Sequence, residues 1–123
     1  MNATRTFPVG VKSVPAARKF ACESLEQLSS DTLQAIELMV SELATNCVKH
    51  AGSEFTVTIA LTPTQLRIEV YDDGHGTPVM ASPAPTDPTG RGLRIVDLLA
   101  SRWGTDVTRK GKRVWFELAT DVV

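Results

Sequence analysis

From Phe55 to Val70 the sequence alternates so regularly that a single kind of local structure suits it. Phe55, Val57, Ile59 and Leu61 are separated by Thr56, Thr58 and Ala60, and Leu66, Ile68 and Val70 by Arg67 and Glu69. Successive strand side chains point to opposite faces, so each run lays an apolar row on one face and a polar row on the other. Thr62-Pro63-Thr64-Gln65 between them reads as a turn, and the whole as an antiparallel hairpin. Its second strand runs directly into Asp72-Asp73-Gly74-His75-Gly76.

The cover for that apolar face lies upstream, where the period changes. A helix is expected from Ser13, with Pro15 tolerated in its first turn and Ala17, Phe20, Ala21, Ser24, Leu25 and Leu28 facing inward. Ser29, Ser30 and Asp31 separate it from a second helix. There Asp31 with Gln34 resembles a capping box, and Gly52 is the stop after Ala51. Ile36, Val40, Leu43 and Cys47 climb one face of this second helix, while Glu42, Asn46, Lys49 and His50 share another edge. Arg5 to Val9 alternate weakly, and Pro8 suits an edge strand. Pro78, Pro83, Pro85 and Pro88 make Thr77–Thr89 a long loop, which Gly90-Arg91-Gly92 ends before a third helical stripe of Leu93, Val96, Leu99 and Ala100. Trp103–Thr108 and Arg113–Ala119 form a last hairpin around Lys110-Gly111-Lys112. The order predicts an α/β two-layer sandwich, with helices on one face of a mixed, mostly antiparallel sheet and the other face partly open. One domain, residues 1–123, is expected, with 77–89 as a loop over it.

Composition excludes several classes. The formal net charge is −1, and Arg91, Arg94, Arg102, Arg109, Lys110, Lys112 and Arg113 are scattered among acids and apolar residues, so direct binding to nucleic acid is disfavoured. No apolar run is long enough for a bilayer and no signal peptide is evident, so the expected location is cytoplasmic. Cys22 and Cys47 fall in helical apolar patterns without metal-ligand spacing and read as buried thiols.

Three segments could carry chemistry. Glu42 and Asn46 sit one turn apart; taken alone, the pair is an ordinary solvated face. As a site, Asn46 offers an uncharged oxygen to Mg²⁺, and Glu42 could take a proton from an attacking hydroxyl. Asp72-x-Gly74-x-Gly76 is either a common turn or a base pocket. In a base pocket the carboxylate accepts from an exocyclic amine such as adenine N6, and the glycines admit a flat ring. Gly90-Arg91-Gly92-Leu93 is a hinge or a phosphate cradle built from free N–H groups at a helix start. Neither a Walker A loop nor a GxGxxG after the first strand is present.

In this order, ELATN, VYDDGHG and GRGLRIV closely resemble the N, G1 and G2 boxes of the GHKL superfamily, over roughly Ser13 to Leu118. The resemblance implies the Bergerat fold, ATP with Mg²⁺, and a lid formed by Thr77–Thr89. Carried over by position, Asn46 would hold the metal and Asp72 the adenine amine. Gly74 and Gly76 would shape the base pocket, Gly90, Arg91, Gly92 and Leu93 would meet the phosphates, and Lys49 would face the nucleotide. His75 reads as a turn residue facing solvent. Cys47 stands where a small Ala is common. The family's Thr after a Gly near the last strand, which helps hold an adenine-linked water, has no counterpart in Gly111-Lys112-Arg113.

His50 and His75 both lie inside the ATP-site motifs, so a phosphoacceptor-histidine hairpin is not expected within these residues. The chain looks like the freestanding anti-sigma-factor serine kinases, in which Glu42 fits the general base. This implies a protein serine kinase that silences a sigma factor or phosphorylates a STAS-type anti-anti-sigma protein, with a homodimer compatible with the branch. The alternatives are a non-catalytic module that sequesters a regulator, and an ATP module of a histidine kinase acting on another chain.

Overall fold

The computed structural model describes residues 1–73 and 88–120, with the backbone alone for residues 50–51 and 88–92. The elements are β1 (Asn2–Phe7), α1 (Ser13–Ser24), α2 (Ser30–Asn46) continuing into a π-helical turn (Cys47–Ala51), β2 (Phe55–Leu61), β3 (Gln65–Asp72), α3 (Pro88–Leu99), β4 (Arg102–Val107) and β5 (Lys112–Ala119). The strands form one five-stranded sheet in the order β1-β2-β3-β5-β4, and every pairing is antiparallel. The edge position expected for the first strand is borne out, with Pro8 just beyond its end. Residues 74–87 lie outside the described residues, and with them Gly74, His75, Gly76 and nearly all of the expected 77–89 lid.

The two-layer reading holds because the strand periods agree. Phe55, Val57 and Ile59 of β2, Leu66, Ile68 and Val70 of β3, and Phe116 of β5 are buried beneath the helices. Ala17 and Ala21 of α1, Ile36, Met39, Val40, Leu43 and Ala44 of α2, and Leu93 and Val96 of α3 complete this core. Phe7 stacks on Phe55 with ring centroids 5.4 Å apart and meets Phe20 edge-on at 5.9 Å, which fastens the sheet edge to α1.

Three local expectations are corrected. The N-cap of α2 is Ser29, not Asp31: Ser29 is extended and its Oγ accepts from the Thr32 amide at 3.2 Å. Second, α3 begins at Pro88, so Gly90, Arg91 and Gly92 lie inside the helix rather than before it. Proline suits a first helical position, where its missing N–H leaves no intrahelical bond unmade. Third, the α-helix does not continue to Ala51 but widens into a π-turn after Asn46, before Gly52 closes it at φ 64° in the left-handed region.

Candidate functional site

Asp72 is the last residue of β3 and shares the parity of Leu66, Ile68 and Val70. Alternation therefore turns its carboxylate inward, and it is 3% exposed. Facing it is Cys47, the first residue of the π-turn, whose Sγ donates to Asp72 Oδ2 at 3.4 Å. Burial raises the thiol pKa most, followed by the charge of Asp72 and the hydrogen bond to it; the Lys112 ammonium pulls weakly the other way. The thiol thus stays protonated and remains a donor. The sequence reading gave Cys47 only a space-filling part; the structure adds a polar one.

β5 completes this corner. Asp72 pairs in register with Lys112, and Tyr71 with Arg113. The residue that stands beside Asp72 on the helix side is therefore Lys112. Arg113 projects on the open side, where it bonds Asp106 at 3.2 Å. Gly111 presses on the same spot: a Cβ there would lie 2.1 Å from the Asp72 carbonyl oxygen and 2.9 Å from Asp73 Cα. Only glycine lets these two backbone segments approach so closely.

Glu42 and Asn46 are half-buried on α2, one turn apart, and Asn46 immediately precedes the thiol that meets Asp72. Lys49 is exposed on the π-turn, and the side chain of His50 lies outside the described residues. Asn46 supplies a hard, uncharged oxygen donor, which suits Mg²⁺, an ion that keeps several waters and needs few protein ligands. The described residues contain no group of three or more His, Cys, Asp or Glu able to hold a metal. That donor set fits a magnesium ion shared with phosphates better than a closed protein cage.

The third segment is reached through α3. The amides of the first three helical positions lack intrahelical partners, so with the helix starting at Pro88, which has no N–H, the free groups within the helix belong to Thr89 and Gly90. Gly92 and Leu93 fall beyond that turn, and Leu93 is 2% exposed in the core, where it fastens the helix to the sheet. The side chain of Arg91 lies outside the described residues. The structure brings Asp72, Cys47, Gly111 and Lys112 together at one corner, with Asn46 and Glu42 on the adjoining helix, whereas the sequence set Gly111-Lys112-Arg113 near the last strand without pairing Gly111 and Lys112 with Asp72. The signal for those two was the Lys110-Gly111-Lys112 turn set against the Asp72 end of the neighbouring strand.

Residues 7–118 match the family described as the histidine kinase-like ATPase domain. The chain belongs to this family, a class of ATP-binding domains with the GHKL sandwich described above. Among individual proteins, it is 37% identical over 79 residues to the uncharacterized protein SCO4941 of Streptomyces coelicolor, covering 60% of this chain and 73% of that protein. The crystal structure of the RsbU and RsbW domains of Rv1364c from Mycobacterium tuberculosis superposes with a TM-score of 0.77 at 17% identity, covering 98% of this chain and 33% of that one. The histidine kinase domain of the Erythrobacter litoralis EL346 blue-light activated histidine kinase gives 0.52 at 29% identity, covering 71% and 44%. The chain therefore spans well under two thirds of either solved structure. No helix among the described residues is long and apolar enough to cross a membrane.

Proposed function

We propose that the chain is an ATP-dependent protein serine kinase of the anti-sigma type, acting on a STAS-type anti-anti-sigma protein. The observation that carries this reading is the corner itself: Asp72 is buried against the thiol that directly follows Asn46, with Glu42 one turn earlier on the same helix. Asp72 would accept the adenine amine, and Gly74 and Gly76 would border the ring. Asn46 would hold Mg²⁺, which when bound neutralises phosphate charge. The free amides at the start of α3, with Gly90, Arg91 and Gly92, would receive the phosphates, and exposed Lys49 would add positive charge at the mouth. Phosphoryl transfer depends mainly on positioning and charge neutralisation, so one base beside a held nucleotide is enough. Glu42 would take the proton from the incoming serine hydroxyl. The superposition on a chain containing an RsbW domain supports the sigma-factor and STAS setting.

The likeness to the Erythrobacter histidine kinase domain favours one second reading, an ATP module serving a histidine on another chain. A single experiment separates the readings. Purified protein, Mg-ATP carrying a labelled γ-phosphate and a STAS-domain protein encoded beside it should give acid-stable phosphoserine. Glu42→Ala should abolish transfer while nucleotide binding persists. Acid-labile label would favour the histidine reading, and ATP binding without transfer a sequestering module. No calorimetric heat at millimolar nucleotide would sink the nucleotide site altogether.

A further inference from the structure

Asp72 and Lys112 face each other across the β3–β5 ladder, and opposed residues of an antiparallel pair have their Cβ atoms roughly 4.5–5.5 Å apart on one face. Here that face is the helix-covered one, where Val70 and Phe116 are buried. The collision awaiting any side chain at Gly111 pins the start of β5 to the end of β3, so this register cannot slip. Lys112 is half-exposed, and its charge is felt at the Cys47 thiol, on the same side of the sheet as the Asp72 carboxylate. An acceptor and a cationic donor thus stand side by side at one end of the sheet.

Adenine presents that pattern in reverse: the N6 amine donates, and the adjacent ring nitrogen N1 accepts. We propose that Lys112 reads the nucleobase, its ammonium donating to adenine N1 while Asp72 accepts from the neighbouring amine. The inference rests on the nucleotide-site reading above. Guanine offers O6 and N1–H, whose order is reversed relative to adenine, so a base held through Asp72 and the amine selects adenine.

The test is a chemical double-mutant cycle by calorimetry on the full chain with Mg²⁺. Its ligands are ATP, 1-deaza-ATP (in which N1 is a C–H) and GTP, and its variants are Lys112→Met and Lys112→Leu. The native chain should prefer ATP over 1-deaza-ATP by about tenfold or more, the usual worth of a charge-assisted hydrogen bond. Lys112→Met should bind both with the weaker affinity, bringing the ratio near one, and Lys112→Leu, which also lacks a donor, offers the same readout should the methionine variant fail to fold. Equal binding of the two ligands by the native chain overturns the proposal, as does a variant that keeps the native ratio. A variant that weakens both ligands equally also overturns it, by assigning the ammonium to the phosphates. GTP bound more tightly than ATP has the same consequence. A native chain that binds no nucleotide removes the nucleotide site and this inference together. A native chain that binds ATP with an unchanged variant ratio removes this inference alone.

Discussion

Two carboxylates are buried in this sheet, on opposite faces, and they are held in opposite ways. Glu117, 7% exposed on the open face, receives Arg67 Nη1 at 3.0 Å and has Arg102 Nε at 3.5 Å, an ionic contact without hydrogen-bond geometry. Arg67 also bonds Glu69 at 2.9 Å and lies 4.1 Å over the Trp115 ring. Asp72 on the helix face accepts from a neutral thiol and has Lys112 opposite it across the ladder. Guanidiniums neutralise a carboxylate and tie it into a scaffold, whereas a thiol is a weak donor that fixes direction without removing charge. In the proposed function the first arrangement serves stability and the second serves a ligand.

The sharpest way to break that contrast is to make both acids into amides. Asp72→Asn should lose ATP affinity by about a hundredfold, since the new NH₂ meets a donor where an acceptor was needed. Its stability should change by less than about 1 kcal/mol, because the amide oxygen can still accept from Cys47. If Asp72→Asn binds ATP normally in calorimetry, the helix-face carboxylate is structural like its counterpart. Next in size is Gly111→Ala, whose Cβ would strike the Asp72 carbonyl. Overpacking of this kind costs about 2–3 kcal/mol. Thermal denaturation should register it, and ATP binding should fall with it because Asp72 and Lys112 are displaced together. A stable, nucleotide-binding Gly111→Ala would show that the corner tolerates movement.

Much of this was legible in the chain, for physical reasons that also mark where legibility stops. The hairpin of Phe55–Val70, the buried stripe of Ile36, Val40, Leu43 and Cys47, and Gly52 as helix stop follow from period and backbone chemistry, and all are found. Asp72 at a strand end was legible because the alternating run ends there. The π-turn was not, since the same residues satisfy an α-helical pattern and nothing in their local sequence favours the wider turn. Three polar residues in a row, Ser29-Ser30-Asp31, left the cap ambiguous by two positions. Pro88 read as a breaker although it begins α3, because proline both ends and starts helices. The choice between Lys112 and Arg113 depended on strand register, and a slip of one residue exchanges the two faces. Glu117 carries an outward-facing period, and its burial comes from Arg67 and Arg102, contributed by other strands.

Glu117→Gln is the complementary arm, with a smaller expected effect. Arg67 and Arg102 are about a third and more than two thirds exposed, so water compensates part of the lost charge pairing. A destabilisation of about 1–2 kcal/mol is expected in urea denaturation, with ATP affinity unchanged. Nucleotide binding that falls with Glu117→Gln would couple the two faces and end the division drawn between them.

The smallest effect isolates the thiol. Cys47 has its pKa raised in the folded chain from an ordinary value of 9.0. A raised pKa means the folded state holds its proton more tightly than the unfolded state. The stabilisation is therefore complete below pH 9 and erodes as pH rises towards the folded value. The slope approaches about 1.4 kcal/mol per pH unit for one proton. Cys47→Ser keeps a donor towards Asp72 but does not ionise in this range. It should match the native chain in ATP binding at neutral pH, lose a little packing, and lack the component of alkaline destabilisation due to this thiol. Cys22, whose thiol is also raised by burial first and then by Glu37, must be replaced in both proteins so that one thiol is compared at a time. Parallel stability curves from pH 8 to 10.5 would mean that the Asp72 partner ionises alike in both states. The carboxylate would then owe its direction to the backbone of Gly111 and Lys112 rather than to sulfur.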